Sequence, residues 1–167
     1  MIAKIFCGCA LFALAAASAS AQTKTTISGT CAKPDAVQTM PAGDEPSHIF
    51  AIASGKCAVK GETAGAMAQS GTFAEHRDVN ANRIRAWGVF TETYDNGDKI
   101  FYRYQLVVPL KDGAMQAGKG TYQALSGTGK MKGIKAEGQC AYTPGAGDSI
   151  SYSCDGAYTL GGAPEAK

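Results

Sequence analysis

Along residues 134–142 and 150–160, apolar and polar side chains alternate, and both stretches keep the same phase about one centre. With Gly147 as that centre, inside the turn-rich segment Thr143-Pro144-Gly145-Ala146-Gly147-Asp148, Tyr142 faces Tyr152 and Cys140 faces Cys154. The same register sets Gly138 opposite Gly156, Ala136 opposite Tyr158 and Ile134 opposite Leu160. The other face collects Lys135, Glu137, Gln139, Ser153, Asp155 and Thr159, nearly all polar. A period of two shared by two segments under one register predicts an antiparallel hairpin with one buried face.

A second hairpin is signalled by Tyr94-Asp95-Asn96-Gly97-Asp98-Lys99. Asn-Gly accepts the positive φ angles of a two-residue type I′ turn, which would set Tyr94 opposite Lys99. One face then holds Trp87, Val89 and Thr91 with Tyr102, Tyr104 and Leu106. The other holds Gly88, Phe90 and Glu92 with Phe101, Arg103 and Gln105. The first is the more apolar and is expected to point inward. Glu92 and Arg103 are then expected to pair across the strands at the surface.

The same patterns, with glycines between short β-branched and aromatic runs, predict eight strands: Thr25–Cys31, His48–Val59, Thr63–His76, Arg83–Tyr94, Lys99–Pro109, Lys119–Leu125, Gly133–Tyr142 and Ile150–Leu160. Ala32–Ser47, holding Pro34, Pro41 and Pro46, is expected to be an irregular surface connection. The tail from 161 to 167 is expected to be disordered. Hairpins with one apolar face, and no helix to cover them, must close a barrel or stack as a sandwich. The expectation is an all-β, antiparallel eight-stranded barrel of up-and-down (meander) connectivity, with a β-sandwich as the alternative. Such a barrel has an interior filled by side chains or holding one small ligand.

Residues 1–21 change the picture of where this barrel resides. Lys4, an apolar run through Ala17 and then Ala19-Ser20-Ala21 before Gln22 have the layout of a cleavable secretory signal peptide. Cleavage after Ala21 removes Cys7 and Cys9 and leaves 146 of the 167 residues, with residues 22–160 expected to form one barrel domain. A secreted or periplasmic location follows, where disulfides persist. With Lys4 gone, 15 basic residues stand against 14 acidic ones. A near-neutral chain offers no basic stripe for nucleic acid and no polybasic patch for a membrane surface. No second apolar run approaches the roughly 18 residues that span a bilayer. Composition does not address oligomeric state.

Four cysteines remain, and four cysteines allow three pairings. The register of the last hairpin favours Cys140–Cys154, which leaves Cys31–Cys57 by elimination. If the first strand closes on the last, Cys31–Cys154 stays open as a rival.

Candidate chemistry is sparse, and no catalytic residue is assigned. Gly113–Gly120 imitates a phosphate-binding loop, but Gly120 occupies the place of the magnesium-binding Ser or Thr and no helix follows. Gly127-Thr128-Gly129 lacks the third glycine of a dinucleotide fingerprint, because position 132 is Lys, and no Gly-x-Ser-x-Gly elbow occurs. His48 and His76 are the only histidines, too few for a zinc site without added carboxylates. No metal or cofactor is therefore expected. His76 could act as a base with Arg85 beside it, although the plainer reading is a solvated strand end with Asp78 and Arg83 paired. Trp87, Tyr102, Tyr104 and Tyr152 are the candidate lining of a ligand site, or else core.

The segment Gly118–Gly138, with Ser126-Gly127-Thr128-Gly129-Lys130-Met131 at its centre, resembles the Gly-Thr-Gly-Lys-Phe/Tyr segment of the allene oxide cyclase and dirigent barrel superfamily. It also resembles uncharacterised exported bacterial proteins. The resemblance implies an eight-stranded barrel with a largely apolar cavity; no catalytic residues carry across. Three functional readings stand: an exported disulfide-bonded barrel holding a small apolar molecule, an isomerase or cyclase working in the same cavity, and an envelope interaction protein with a solid barrel. An inward ionisable group with a shifted pKa favours the second, and a filled interior with an exposed apolar patch favours the third.

Overall fold

The structure is a computed structural model and describes residues 22–161. Residues 1–21, read above as a signal peptide, and residues 162–167 of the expected tail lie outside the described residues. The strands are β1 (Thr23–Cys31), β2 (Ala36–Pro41), β3 (Ile49–Lys60), β4 (Glu62–Thr63), β5 (Ala66–Asn80), β6 (Arg83–Tyr94), β7 (Lys99–Lys111), β8 (Ala114–Met115), β9 (Gly118–Gly127), β10 (Lys135–Pro144) and β11 (Ile150–Thr159).

The eight long strands β1, β3, β5, β6, β7, β9, β10 and β11 form one antiparallel meander in which each pairs with the next. β11 returns to β1 and closes the barrel. Closure is the physical solution for sheets that are apolar on one side only, since it buries that side and removes most edges. The sandwich alternative is not adopted. β10 and β11 pair in the register that the alternation predicts, Cys140 opposite Cys154 and Tyr142 opposite Tyr152. Both disulfides form, Cys140–Cys154 across that hairpin and Cys31–Cys57 across the β1–β3 seam.

Two expectations are corrected. Ala36–Pro41 is not irregular: it continues beyond the end of β1 along the same edge of β3, pairing with Ile49–Ser54. Every residue of this strand is exposed, and an outer strand is where proline is tolerated in a sheet. The second correction is larger. The β6–β7 hairpin sets Thr93, not Tyr94, opposite Lys99. Its loop has three residues, Asp95-Asn96-Gly97, with the Tyr94 N–H donating to the Asp98 carbonyl at 3.0 Å and the Gly97 N–H donating to the Tyr94 carbonyl at 3.0 Å. Gly97 is in the left-handed region at φ 82° and Asn96 is not. This is the three-residue turn closed by a glycine bulge rather than type I′. The Asn96 side chain supports it by accepting the Asp98 N–H at 2.9 Å. One added residue in the loop reverses the faces of β6: Trp87 and Val89 point outward, and Phe90 and Glu92 point inward.

The barrel is closed at one end and open at the other. Its floor is Tyr94, Ile100, Ile134 and Met131, buried together, with Met131 itself 0% exposed. Met131 ends the 3-10 turn Gly129–Met131 inside the glycine-rich segment. That turn is latched by Asp98, whose carboxylate accepts the Lys130 N–H at 3.1 Å. Asp98 also occupies the space a side chain at Gly129 would need, and Gly129 has a φ of 49°. The other end carries the β1–β2 connection, the β7–β9 loop and the β10–β11 turn.

His48 closes the loop between β2 and β3. Its Nδ1 lies 2.6 Å from Asp44, and its Nε2 lies 3.1 Å from Asp78 on β5. The hydrogen bond to Asp44, followed by the charges of Asp44 and Asp78, raises the imidazole pKa above its ordinary value. A raised folded-state pKa means that the stabilisation is fully present below about pH 6.5, the unfolded value. It is lost as pH rises through the folded value. The stability difference between the native protein and His48→Asn is therefore expected to shrink as pH climbs through the imidazole titration measured by NMR. A difference that grows with pH would contradict this clasp.

Candidate functional site

Strand parity and the placing of rings over glycines together shape the lumen. Large inward side chains lie against glycines on neighbouring strands: a Cβ at Gly55 would meet the Phe73 ring at 2.8 Å, and one at Gly29 would meet the Tyr152 ring at 2.6 Å. Tyr122 lies in the same way over Gly138 and Gly156, and Tyr142 lies over Gly120. Folding the rings against bare backbone leaves the barrel axis open, because large and small residues alternate around it. The result is a lumen of about 480 Å³. Phe73, Phe90, Tyr102, Tyr104, Tyr122 and Tyr152 surround its deeper part, and Ile84, Leu106, Val108, Leu110 and Ile150 surround its outer part. The lining runs out to Lys33 and Asp148, which pair at 3.7 Å while each stays 71% exposed, and these mark the mouth.

Two carboxyl groups face this interior. Glu92, 1% exposed, stands just above the floor and accepts the hydroxyls of Tyr94 and Tyr102 on one oxygen, Oε2, at 2.8 and 3.0 Å. Its other oxygen, Oε1, is buried without a partner. Burial pushes the carboxyl pKa up, and the two phenol hydrogen bonds only partly offset it. The Tyr102 phenol is itself held protonated far above its ordinary range, first by burial and then by the neighbouring Glu92. Glu75, 6% exposed, lies nearer the mouth and is fully engaged. Its Oε1 accepts Arg77 Nε at 2.6 Å and Oε2 accepts the Tyr104 hydroxyl at 2.6 Å.

Of the residues singled out from sequence, Tyr102, Tyr104 and Tyr152 line the lumen. Trp87 does not. It is 47% exposed on the outer face, stacked on His76 with ring centroids 6.0 Å apart. His76 and Arg85 are exposed outside as well, and neither lines the lumen. Asp78 pairs with His48 and lies opposite Arg85 in the sheet, in place of the expected partnership with Arg83. The expected Glu92–Arg103 surface pair is overturned too, since Glu92 points inward while Arg103 points out and bonds to Gln123. Glu75 and Glu92, the two lumenal carboxyls, were missed. The signal that could have found Glu92 is its parity with Tyr94 and Phe90 once the loop is given three residues.

No family model and no curated protein matches the sequence. Among solved structures the fold is similar to that of a conserved protein of unknown function from Rhodopseudomonas palustris, at 10% identity and a TM-score of 0.47 over 82% of this chain and 98% of that one. It is similar also to the pterocarpan synthase dirigent protein GePTS1, at 10% identity and a TM-score of 0.47 over 91% of this chain and 98% of that one.

Proposed function

We propose that this protein is exported and oxidised, and that its barrel binds a small, mainly apolar molecule in the lumen. The observation that supports this reading is the one-ended cavity of about 480 Å³, ending at Glu92 and Tyr102 against the buried Met131 cluster and walled by aromatic and aliphatic side chains. Binding pockets for small molecules fall in the range of roughly 300–1,000 Å³, with mostly apolar walls and few polar groups. The solid-barrel reading requires a filled interior, which such a cavity does not provide. Export rests on the signal segment and accords with two disulfides; among the described residues no helix is long and apolar enough to cross a membrane.

The test is thermal stabilisation of the oxidised protein by fatty acids and by small terpenoid alcohols and ketones, with native mass spectrometry of protein purified from its own envelope. Trp87 lies outside, so its emission is a poor reporter. A ligand at 100 times its dissociation constant is expected to stabilise by about 2.7 kcal/mol if it binds only the folded state. Ala86→Phe, which puts a ring into the lumen wall, is expected to remove the effect, and Trp87→Ala is expected to leave it intact. The reading fails if no probe gives saturable stabilisation.

A second reading, an isomerase or cyclase in the same lumen, is favoured by Glu92, a carboxyl with a raised pKa inside a cavity. The two readings separate on one readout. A binder returns its ligand unchanged, whereas an isomerase returns a product isomer and loses that activity in Glu92→Gln.

A further inference from the structure

We infer that the lumen selects an uncharged amphiphile, with an apolar body and one terminal carbonyl or hydroxyl oxygen, and holds that oxygen at the floor on Glu92. The inference rests on the binding reading above and adds the chemistry and orientation of the ligand. Its basis is the one-sided environment of Glu92. Both phenol donors, Tyr94 and Tyr102, address Oε2, while Oε1 is buried and unpartnered. An ionised carboxylate shares its charge over both oxygens, and leaving one bare in apolar surroundings is costly. A proton on Oε1 removes that cost and makes Glu92 a neutral O–H donor at the lumen floor. Burial acts on the carboxyl in the same direction.

The rest of the lining agrees. The second carboxyl, Glu75, has both oxygens occupied by Arg77 and Tyr104, so the guanidinium charge is spent on it. Lys33, the other cation among the described lining residues, stands exposed at the mouth beside Asp148. An anionic head placed at the floor would therefore meet a carboxyl and no free cation. Between Glu92 and the mouth the polar groups Glu75, Arg77 and Tyr104 satisfy one another, and the remaining wall through Leu106, Val108 and Ile150 is apolar. The carboxyl oxygen left without a partner is at the floor, so the ligand goes in oxygen first with its body trailing outward.

The test uses four eight-carbon probes, octane, 2-octanone, octanoate and octylamine, titrated into the oxidised protein with binding followed by thermal shift. The ketone is expected to bind about tenfold more tightly than octane or octanoate, the scale of one buried hydrogen bond. Glu92→Leu is expected to keep octane binding and lose the ketone preference. Glu92→Gln, which keeps an N–H donor in place, is expected to retain it. Should the leucine variant not fold, the wild-type ranking and the glutamine variant still decide. Equal binding of octane and 2-octanone overturns this inference and leaves the binding reading standing. Tightest binding by octylamine also overturns it, because Glu92 would then act as an anion. Binding of none of the four overturns this inference, and it refutes the binding reading as well when the fatty acids and terpenoids named above also fail to bind.

Discussion

Replacing Glu75 with alanine is expected to destabilise the barrel by about 3 kcal/mol, the lower end of the range for stripping the partner from a buried charge. Glu75 is nearly buried and takes hydrogen bonds on both oxygens, from Arg77 and from the Tyr104 hydroxyl. Its removal leaves a guanidinium and a phenol facing the lumen together, with nothing to accept from either. The Arg77 side chain is 26% exposed, and that access to water keeps the loss at the low end. Removing the whole pair has a different consequence. Glu75→Leu combined with Arg77→Met takes both charges out and is expected to recover most of the stability, since apolar replacement of a buried pair is often neutral or better. Denaturant unfolding of the two variants is the measurement. A neutral Glu75→Ala, or a double variant as unstable as the single one, would show that the pair does not sit in a desolvated lumen.

The second large effect is expected from the disulfides. Cys31–Cys57 closes 26 residues of sequence and Cys140–Cys154 closes 14. The chain-entropy account gives about 3 kcal/mol for loops of this size, slightly more for the longer one. Together they are comparable with the whole folding free energy of many domains, about 5–15 kcal/mol. Their local effects should differ. β1 meets β3 through the facing pairs Ser28–Lys60 to Cys31–Cys57, a much shorter ladder than the one it forms with β11. Cys31–Cys57 therefore clamps the weakest closure of the barrel. Cys31→Ala with Cys57→Ala should destabilise more than Cys140→Ala with Cys154→Ala, and should deprotect the β1 amides facing β3 to hydrogen exchange first. Equal and uniform deprotection in both double variants would contradict this account of the seam.

How much of this was legible in the chain depends on whether a local pattern or a loop decided it. The β10–β11 hairpin was legible in full, because two strands with strict alternation and a cysteine on each leave one register that buries every apolar residue. That pairing and the scarcity of helical periodicity favoured both disulfides and the meander barrel, with the Cys31–Cys154 rival and the sandwich excluded only by the closed sheet. β2 was hidden by its prolines, since Pro34 and Pro41 read as breakers until the free edge of β3 beyond β1 is in view. Glu75 and Arg77 carry no signal in the sequence, since both are charged and stand at the end of a strand; only the barrel brings them to Tyr104.

The β6–β7 turn marks the boundary between the two kinds of information. Sequence by itself determined one-faced antiparallel strands and the register of the last hairpin, because alternation of period two is a local property that burial enforces everywhere. Barrel over sandwich, and Cys31–Cys57 over Cys31–Cys154, were favoured there and decided by closure of β11 on β1 and of β1 on β3. Sequence could not determine which face of β6 is inside. That depends on whether Asn96-Gly97 turns the chain in two residues or, with Asp95, in three. Side-chain direction in a strand has two values, so one residue in a loop exchanged Trp87 for Glu92 at the wall of the lumen. Only the closed structure, in which Glu92 meets the hydroxyls of Tyr94 and Tyr102, decided that a carboxyl lies at the lumen floor.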